Sequence, residues 1–113
     1  MQIIIVGCGK VGSTIAEQLS AEGHDITIVD TDESVVQALA TRLDIMGVTG
    51  NGATHSILVE AGVEEADLLI AVTESDELNL LCCMVGKKAG AEHTIARVRN
   101  PEYSQEIGRA SCR

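Results

Sequence analysis

Gly7-Cys8-Gly9-Lys10-Val11-Gly12 lies between the apolar run Ile3 to Val6 and the segment Lys10 to Glu22, where Val11, Ile15 and Leu19 recur at steps of four. An unbroken apolar run suits a strand covered on both faces, and a four-step stripe suits one face of a helix. The hexapeptide matches G-x-G-x-x-G in its proper strand–turn–helix context. Gly7 permits the tight turn, Gly9 lets the backbone approach a pyrophosphate, and Gly12 lets the helix pack close to the strand. Unpaired N–H groups at the helix start then face phosphate oxygens, aided by a helix dipole worth about 0.3–1 kcal/mol.

The same alternation continues outward. Apolar runs at Ile26 to Val29, Ile45 to Val48, Leu68 to Val72 and Ile95 to Val98 predict four more strands. Asp32 to Leu43 carries Val35, Val36, Leu39 and Leu43 on one stripe and predicts a second helix, with Asp32 as its N-cap. Thr54 to Ala61 predicts a third, opened by Thr54 or Ser56 and closed by Gly62. Asp76 to Ala89 predicts a fourth, opened by Ser75 and closed by Gly90, with Leu78, Leu81, Cys82 and Val85 expected to face the sheet. On the other side of that helix Leu80 and Met84 mark an expected self-association surface. Right-handed crossovers make this order an α/β doubly wound parallel sheet, strand order 3-2-1-4-5, lacking a terminal sixth strand and helix. Residues 1–107 are expected to form the nucleotide-binding domain, with a helical turn around Glu102 to Ile107. Residues 108–113, Gly-Arg-Ala-Ser-Cys-Arg, have no periodicity and are expected to be a vector-derived tail.

Composition narrows the function classes. The chain has 113 residues, enough for one core and one domain. Eight basic against 17 acidic residues give a net charge of −9, and Tyr103 is the one aromatic residue, so both a phosphate-backbone footprint and base-stacking platforms are missing. No nucleic-acid partner is expected. No apolar run approaches the roughly 18 residues of a membrane span, and no basic segment precedes a secretory core, so a cytoplasmic location without direct membrane insertion is expected. Cys8, Cys82, Cys83 and Cys112 form no C-x-x-C pair, which predicts reduced thiols rather than disulfides or a zinc site. His24, His55 and His93 have no partner at ligand spacing and are expected to be solvated, and Lys87 and Lys88 complement the fourth helix's C-terminal dipole.

Asp30 ends the second predicted strand, 18 positions beyond Gly12, near the spacing of the acid that grips a ribose. Its carboxylate would accept hydroxyl hydrogen bonds and repel a 2′-phosphate, which favours NAD(H) over NADP(H); Thr31 lies beside it. The loop after the fourth strand, Thr73-Glu74-Ser75-Asp76, belongs next to the glycine loop where the chain reverses direction. Gly50-Asn51-Gly52 can lie flat near an adenine, and Arg97 and Arg99 each either reach a phosphate or pair with an acidic neighbour.

Four further runs carry a family resemblance: Val48-Thr-Gly-Asn-Gly-Ala-Thr; Leu58-Val-Glu-Ala-Gly; Ala66-Asp-Leu-Leu-Ile-Ala-Val-Thr-Glu-Ser-Asp-Glu-Leu-Asn79; and Thr94-Ile-Ala-Arg-Val-Arg-Asn-Pro-Glu-Tyr103. Together with the glycine loop they closely resemble the nucleotide-binding half of Trk-type potassium-uptake regulatory subunits, the RCK or KTN domains, over residues 1 to about 105. The resemblance implies nucleotide contacts from Gly7 through Val11, from Asp30, from Thr73 and Glu74, and from Arg97. It implies NAD(H), or alternatively ATP or ADP, as ligand; relatives that bind ATP or ADP carry arginine where this chain has Lys10. It also implies a homo-oligomer, dimer or ring, attached to a membrane potassium-transport pore subunit at the inner face of the membrane, and a regulatory rather than enzymatic role. The competing expectation is the cofactor half of an NAD-dependent dehydrogenase, which would explain the glycine loop and Asp30 but not Val48 to Tyr103.

Overall fold

The computed structural model describes residues 1–103. Their order is β1 (Gln2–Val6), α1 (Lys10–Ala21), β2 (Asp25–Asp30), α2 (Glu33–Leu43), β3 (Met46–Thr49), α3 (His55–Glu60), a 3-10 turn (Val63–Glu65), β4 (Leu68–Ala71), α4 (Asp76–Ala89) and β5 (His93–Ala96). The five strands form one parallel sheet in the order β3-β2-β1-β4-β5, the expected doubly wound arrangement. The expected turn from Glu102 to Ile107 lies mostly outside the described residues, and the 108–113 tail and Cys112 wholly so.

The apolar strands are explained by double coverage. Ile3 and Ile5 point into a layer with Ile26, Ile28, Val36 and Ala16, beneath α1 and α2. Ile4 and Val6 point the other way, onto Val29, Leu58, Leu69 and Cys82 beneath α3 and α4. The central strands β1 and β4 are therefore apolar on both faces, whereas the edge strands β3 and β5 are largely exposed, and the core is built mainly of aliphatic side chains.

Local signals behave as their chemistry requires. Asp32 caps α2, accepting hydrogen bonds from Ser34 and Val35 N–H, and the Ser75 hydroxyl accepts one from Leu78 N–H at the start of α4. α3 is shorter than its pattern and uncapped by any side chain; Thr54 instead donates its hydroxyl proton to the Asn51 carbonyl. β5 ends at Ala96, two residues before the end of the predicted run.

The face of α4 corrects the expectation. Asn79, Cys82 and Gly86 are the buried residues, whereas Leu81 is 47% exposed and Met84 69%. Leu78, Val85 and Cys83 pack at the margin of the core, and Leu80 is half-buried. Gly86 is the physical reason: a Cβ there would lie 2.8 Å from Leu69 Cδ1, so the helix seats against β4 on its smallest residue and turns Leu81 outward. α1 shows the same preference for small contacts. Gly12 and Ala16 are buried, while Val11 is 37% exposed at the mouth of the site described below.

Candidate functional site

At the carboxyl ends of the strands, where β1 and β4 diverge, two adjoining cavities of about 370 and 140 Å³ share Gly7, Asp30 and Thr73. The larger is completed by Gly9, Lys10, Val11, Val72, Glu74 and Arg97. The smaller is completed by Val6, Val29, Thr31, Gly50, Asn51, Gly52 and Leu78. A third cavity, about 460 Å³, opens at the opposite end of the sheet among Gln2, His24, Asp25, Asp44 and Met46. Size alone would select the latter. Chemistry selects the pair at the strand reversal, because only there do unpaired helix N–H groups and a glycine loop converge.

The glycine loop is built as the motif requires. Gly7 has φ +107° and its N–H donates to the Val29 carbonyl at 2.8 Å; a Cβ on it would meet Thr73 N and Val72 C at 2.9 Å. A Cβ on Gly12 would lie 1.7 Å from the Gly7 carbonyl oxygen. Gly9 is the N-cap of α1, has no side-chain cap, and has nothing within 4 Å of where its Cβ would be. α1 also lacks an acid in its first turn, unlike α2 with Glu33 and α4 with Asp76 and Glu77. Its first N–H groups are left for an anion.

Asp30 is held in place by the loops it joins. One carboxylate oxygen accepts from Cys8 N–H at 2.8 Å and the other from Asp32 N–H at 3.0 Å. A carboxylate has about four acceptor positions, so two remain for a ligand. Cys8 itself points inward: its thiol is buried, and desolvation, then the Asp30 charge, pushes it up to about 12. Burial likewise pushes Cys82 up to about 12 and Cys83 to about 11. These thiols stay protonated and are poor nucleophiles.

The two arginines divide their roles. Arg97 lines the larger cavity. Arg99 faces Asp76, Nε to Oδ1 at 4.0 Å, and donates from its guanidinium to the Glu74 carbonyl. The Asp76 carboxylate also accepts from the N–H groups of Arg99 and Asn100, and these bonds hold its pKa below the usual value, aided by the arginine charges. A carboxyl with a depressed folded-state pKa contributes stability above its unfolded pKa and loses it as pH falls through the folded one. The segment from Arg99 to Tyr103 should therefore detach from α4 in acid before the sheet melts. Amide exchange of Arg99 and Asn100 measured from pH 6 to pH 2 checks this, and Asp76→Asn should show the fast exchange already at neutral pH.

The expected site residues thus fall into three groups. Gly7, Gly9, Lys10, Val11, Asp30, Thr73, Glu74 and Arg97 meet in one cavity, and Thr31, Asn51 and Gly52 line its neighbour. Cys8 and Gly12 line neither: Cys8 contributes its N–H to Asp30, and Gly12 packs beneath the loop. Gly52 is buried over Val6, whose Cγ1 would lie 2.5 Å from an added Cβ, while Asn51 accepts Ala53 N–H. His55 and His93 are exposed, but His24 is half-buried with Nδ1 3.2 Å from the Met1 amine. Gly50 lines the smaller cavity beside Asn51 and Gly52, as expected, but sequence reasoning missed Leu78 in the lining and Asn79 beneath it. The available signal for Asn79 was a lone amide in step with the buried Cys82 and Gly86.

Comparisons with known proteins give the family and the fold. The family model described as TrkA-N domain matches residues 3–113. A Halomonas elongata protein named Trk system potassium uptake protein TrkA is 50% identical over 109 residues, covering 96% of this chain and 24% of that protein. The chain thus spans about a quarter of that relative's length. Among solved structures, the NAD(P)-binding domain of an exopolyphosphatase-related protein from Archaeoglobus fulgidus has a TM-score of 0.81 at 20% identity, covering 96% of this chain and 80% of that one. The Shewanella denitrificans Kef CTD in AMP-bound form has a TM-score of 0.71 at 25% identity, covering 84% and 57%.

Proposed function

This chain belongs to the TrkA-N domain family, and we propose that it is the regulatory nucleotide-binding domain of a potassium-uptake system, taking NAD(H), with ATP or ADP as the alternative ligand. The observation that carries the reading is the convergence of an uncapped α1 N-terminus, the Asp30 carboxylate and Arg97 on one cavity. In this reading the phosphates lie on the N–H groups of Gly9 to Gly12 between Lys10 and Arg97, and a ribose donates to Asp30. Thr31, Asn51 and Gly52 hold the base side, and Thr73 and Glu74 close the other wall. The AMP-bound Kef relative and the NAD(P)-binding fold neighbour support an adenine nucleotide. The name of the Halomonas relative supports potassium uptake as the process.

Regulation follows if the nucleotide binds two conformations of the assembly with different affinity, since a ligand shifts an equilibrium only by that difference. The partners are a membrane pore subunit and further copies of this chain, for which the exposed Leu81 and Met84 on α4 offer an apolar contact. No helix of the described residues is long and apolar enough to cross a membrane.

The test is isothermal calorimetry with NADH and ADP. Saturable binding of either at one site per chain supports the reading, and heats indistinguishable from dilution with both remove it. The ionisable lining, Lys10, Asp30, Glu74 and Arg97, suits holding anions and hydroxyls rather than passing a proton to a substrate. Bound NADH is therefore expected to keep its 340 nm absorbance when small aldehydes, ketones and oxoacids are added. A steady, protein-dependent fall would instead favour a dehydrogenase.

A further inference from the structure

We propose that Asn79, which lines neither cavity, is the positioning residue of the nucleotide site, fixing both Thr73 and Arg97 and determining which kind of ligand atom Thr73 accepts. The inference rests on reading that cavity as a nucleotide site.

Asn79 is fully buried on α4, and its side-chain amide is completely used. Its Oδ1 accepts from Thr73 N–H at 2.8 Å and from the Thr73 hydroxyl at 2.6 Å. Its Nδ2 donates to the Thr73 carbonyl at 3.1 Å and the Arg97 carbonyl at 2.9 Å. The amide orientation is forced, because an N–H can meet only the oxygen and two carbonyls only the nitrogen. Burying a primary amide costs free energy unless all its groups are paired, and an apolar residue would fill the same space. The bonds it makes show what it supplies.

The β4–β5 ladder pairs Leu68 with His93 through Ala71 with Ala96 and closes with Arg97 N–H on the Ala71 carbonyl at 2.9 Å. Beyond that point the two chains have no direct backbone bond, yet Thr73 and Arg97 are the residues facing the cavity. Asn79 replaces the missing rung, bonding the carbonyls of both. Of the two acceptors beside the Thr73 hydroxyl, Asn79 Oδ1 at 2.6 Å and the Ser75 carbonyl at 3.2 Å, the closer takes its single proton, while Ser75 N–H donates to that hydroxyl at 3.2 Å. One lone pair then remains. Thr73 thus presents an acceptor to the ligand, suited to a ribose hydroxyl, an amine or a carboxamide N–H and unsuited to a phosphate oxygen.

The test titrates the 113-residue chain with NADH and with ADP at a temperature well below melting, and measures melting separately. Asn79→Asp keeps the acceptor and removes both donors; Asn79→Ser, which is uncharged, serves if the aspartate does not fold. Leu58→Val, buried on α3 and lining neither cavity, is the control for lost stability. The expected result is about tenfold weaker nucleotide binding in the folded Asn79 variants, against less than a twofold change in Leu58→Val at comparable loss of melting temperature. Asn79 variants that melt lower but bind as wild type does, or a control that weakens equally, would overturn the inference. A wild-type chain that binds neither nucleotide would overturn the functional reading along with it.

Discussion

Alanine at Gly9 is expected to leave the melting temperature within about 2 °C of wild type while reducing nucleotide binding at least tenfold, and alanine at Gly12 is expected to damage folding and binding together. The two substitutions add the same methyl group to one motif, yet the surroundings differ. At Gly9 the backbone is extended and the added Cβ meets nothing, so the fold has no objection to it. The methyl group would instead occupy the space above the loop that a pyrophosphate must enter. At Gly12 helix propensity alone would favour alanine by about 1 kcal/mol. That gain is overwhelmed, because the Cβ would lie 1.7 Å from the Gly7 carbonyl, far inside the 3.0 Å that real Cβ atoms keep. Relieving the overlap separates α1 from the β1 turn, and over-packing of this kind costs about 1–3 kcal/mol or more. Thermal melts with calorimetry on both variants check the contrast. Equal binding by Gly9→Ala and wild type would mean that no ligand approaches the loop.

Asp30→Ala is expected to weaken NADH by about 1.5–3 kcal/mol, roughly ten- to over a hundredfold, from the lost ribose bonds. The effect has a second source that geometry exposes. The carboxylate also ties Cys8 N–H in the glycine loop to Asp32 N–H before α2, so its removal loosens the cradle as well as the contact. Asp30→Asn separates these contributions. It preserves the shape and one acceptor oxygen, and should melt closer to wild type than the alanine variant while still binding NADH less well. Unchanged NADH affinity in both variants would take Asp30 out of the ligand site.

The glycine loop, the five strands and the sheet order were legible because each rests on local chemistry: apolar runs for doubly covered strands, caps at Asp32 and Ser75, and glycine where φ is positive or space is absent. The face of α4 was not legible in the same way. Hydrophobicity pointed to Leu81, but helix–sheet distance is set by the smallest residue, Gly86, and by an amide whose partners, Thr73 and Arg97, lie just beyond the ends of β4 and β5. The arginines were also ambiguous in sequence. Two residues apart, they would share a face of a continuing strand, but β5 ends at Ala96, and beyond it Arg97 lines the cavity while Arg99 meets Asp76. Periodicity carries information only while the element lasts.

The central claim is that an adenine dinucleotide is held with a free ribose hydroxyl against the Asp30 carboxylate, and competition between NADH and NADPH for the wild-type chain tests it most directly. The two differ by a 2′-phosphate, which would confront Asp30 with like charge and cost it a hydroxyl donor. NADH binding at least tenfold tighter than NADPH at the same salt concentration is the predicted result. Equal affinity, or a preference for NADPH, would contradict it.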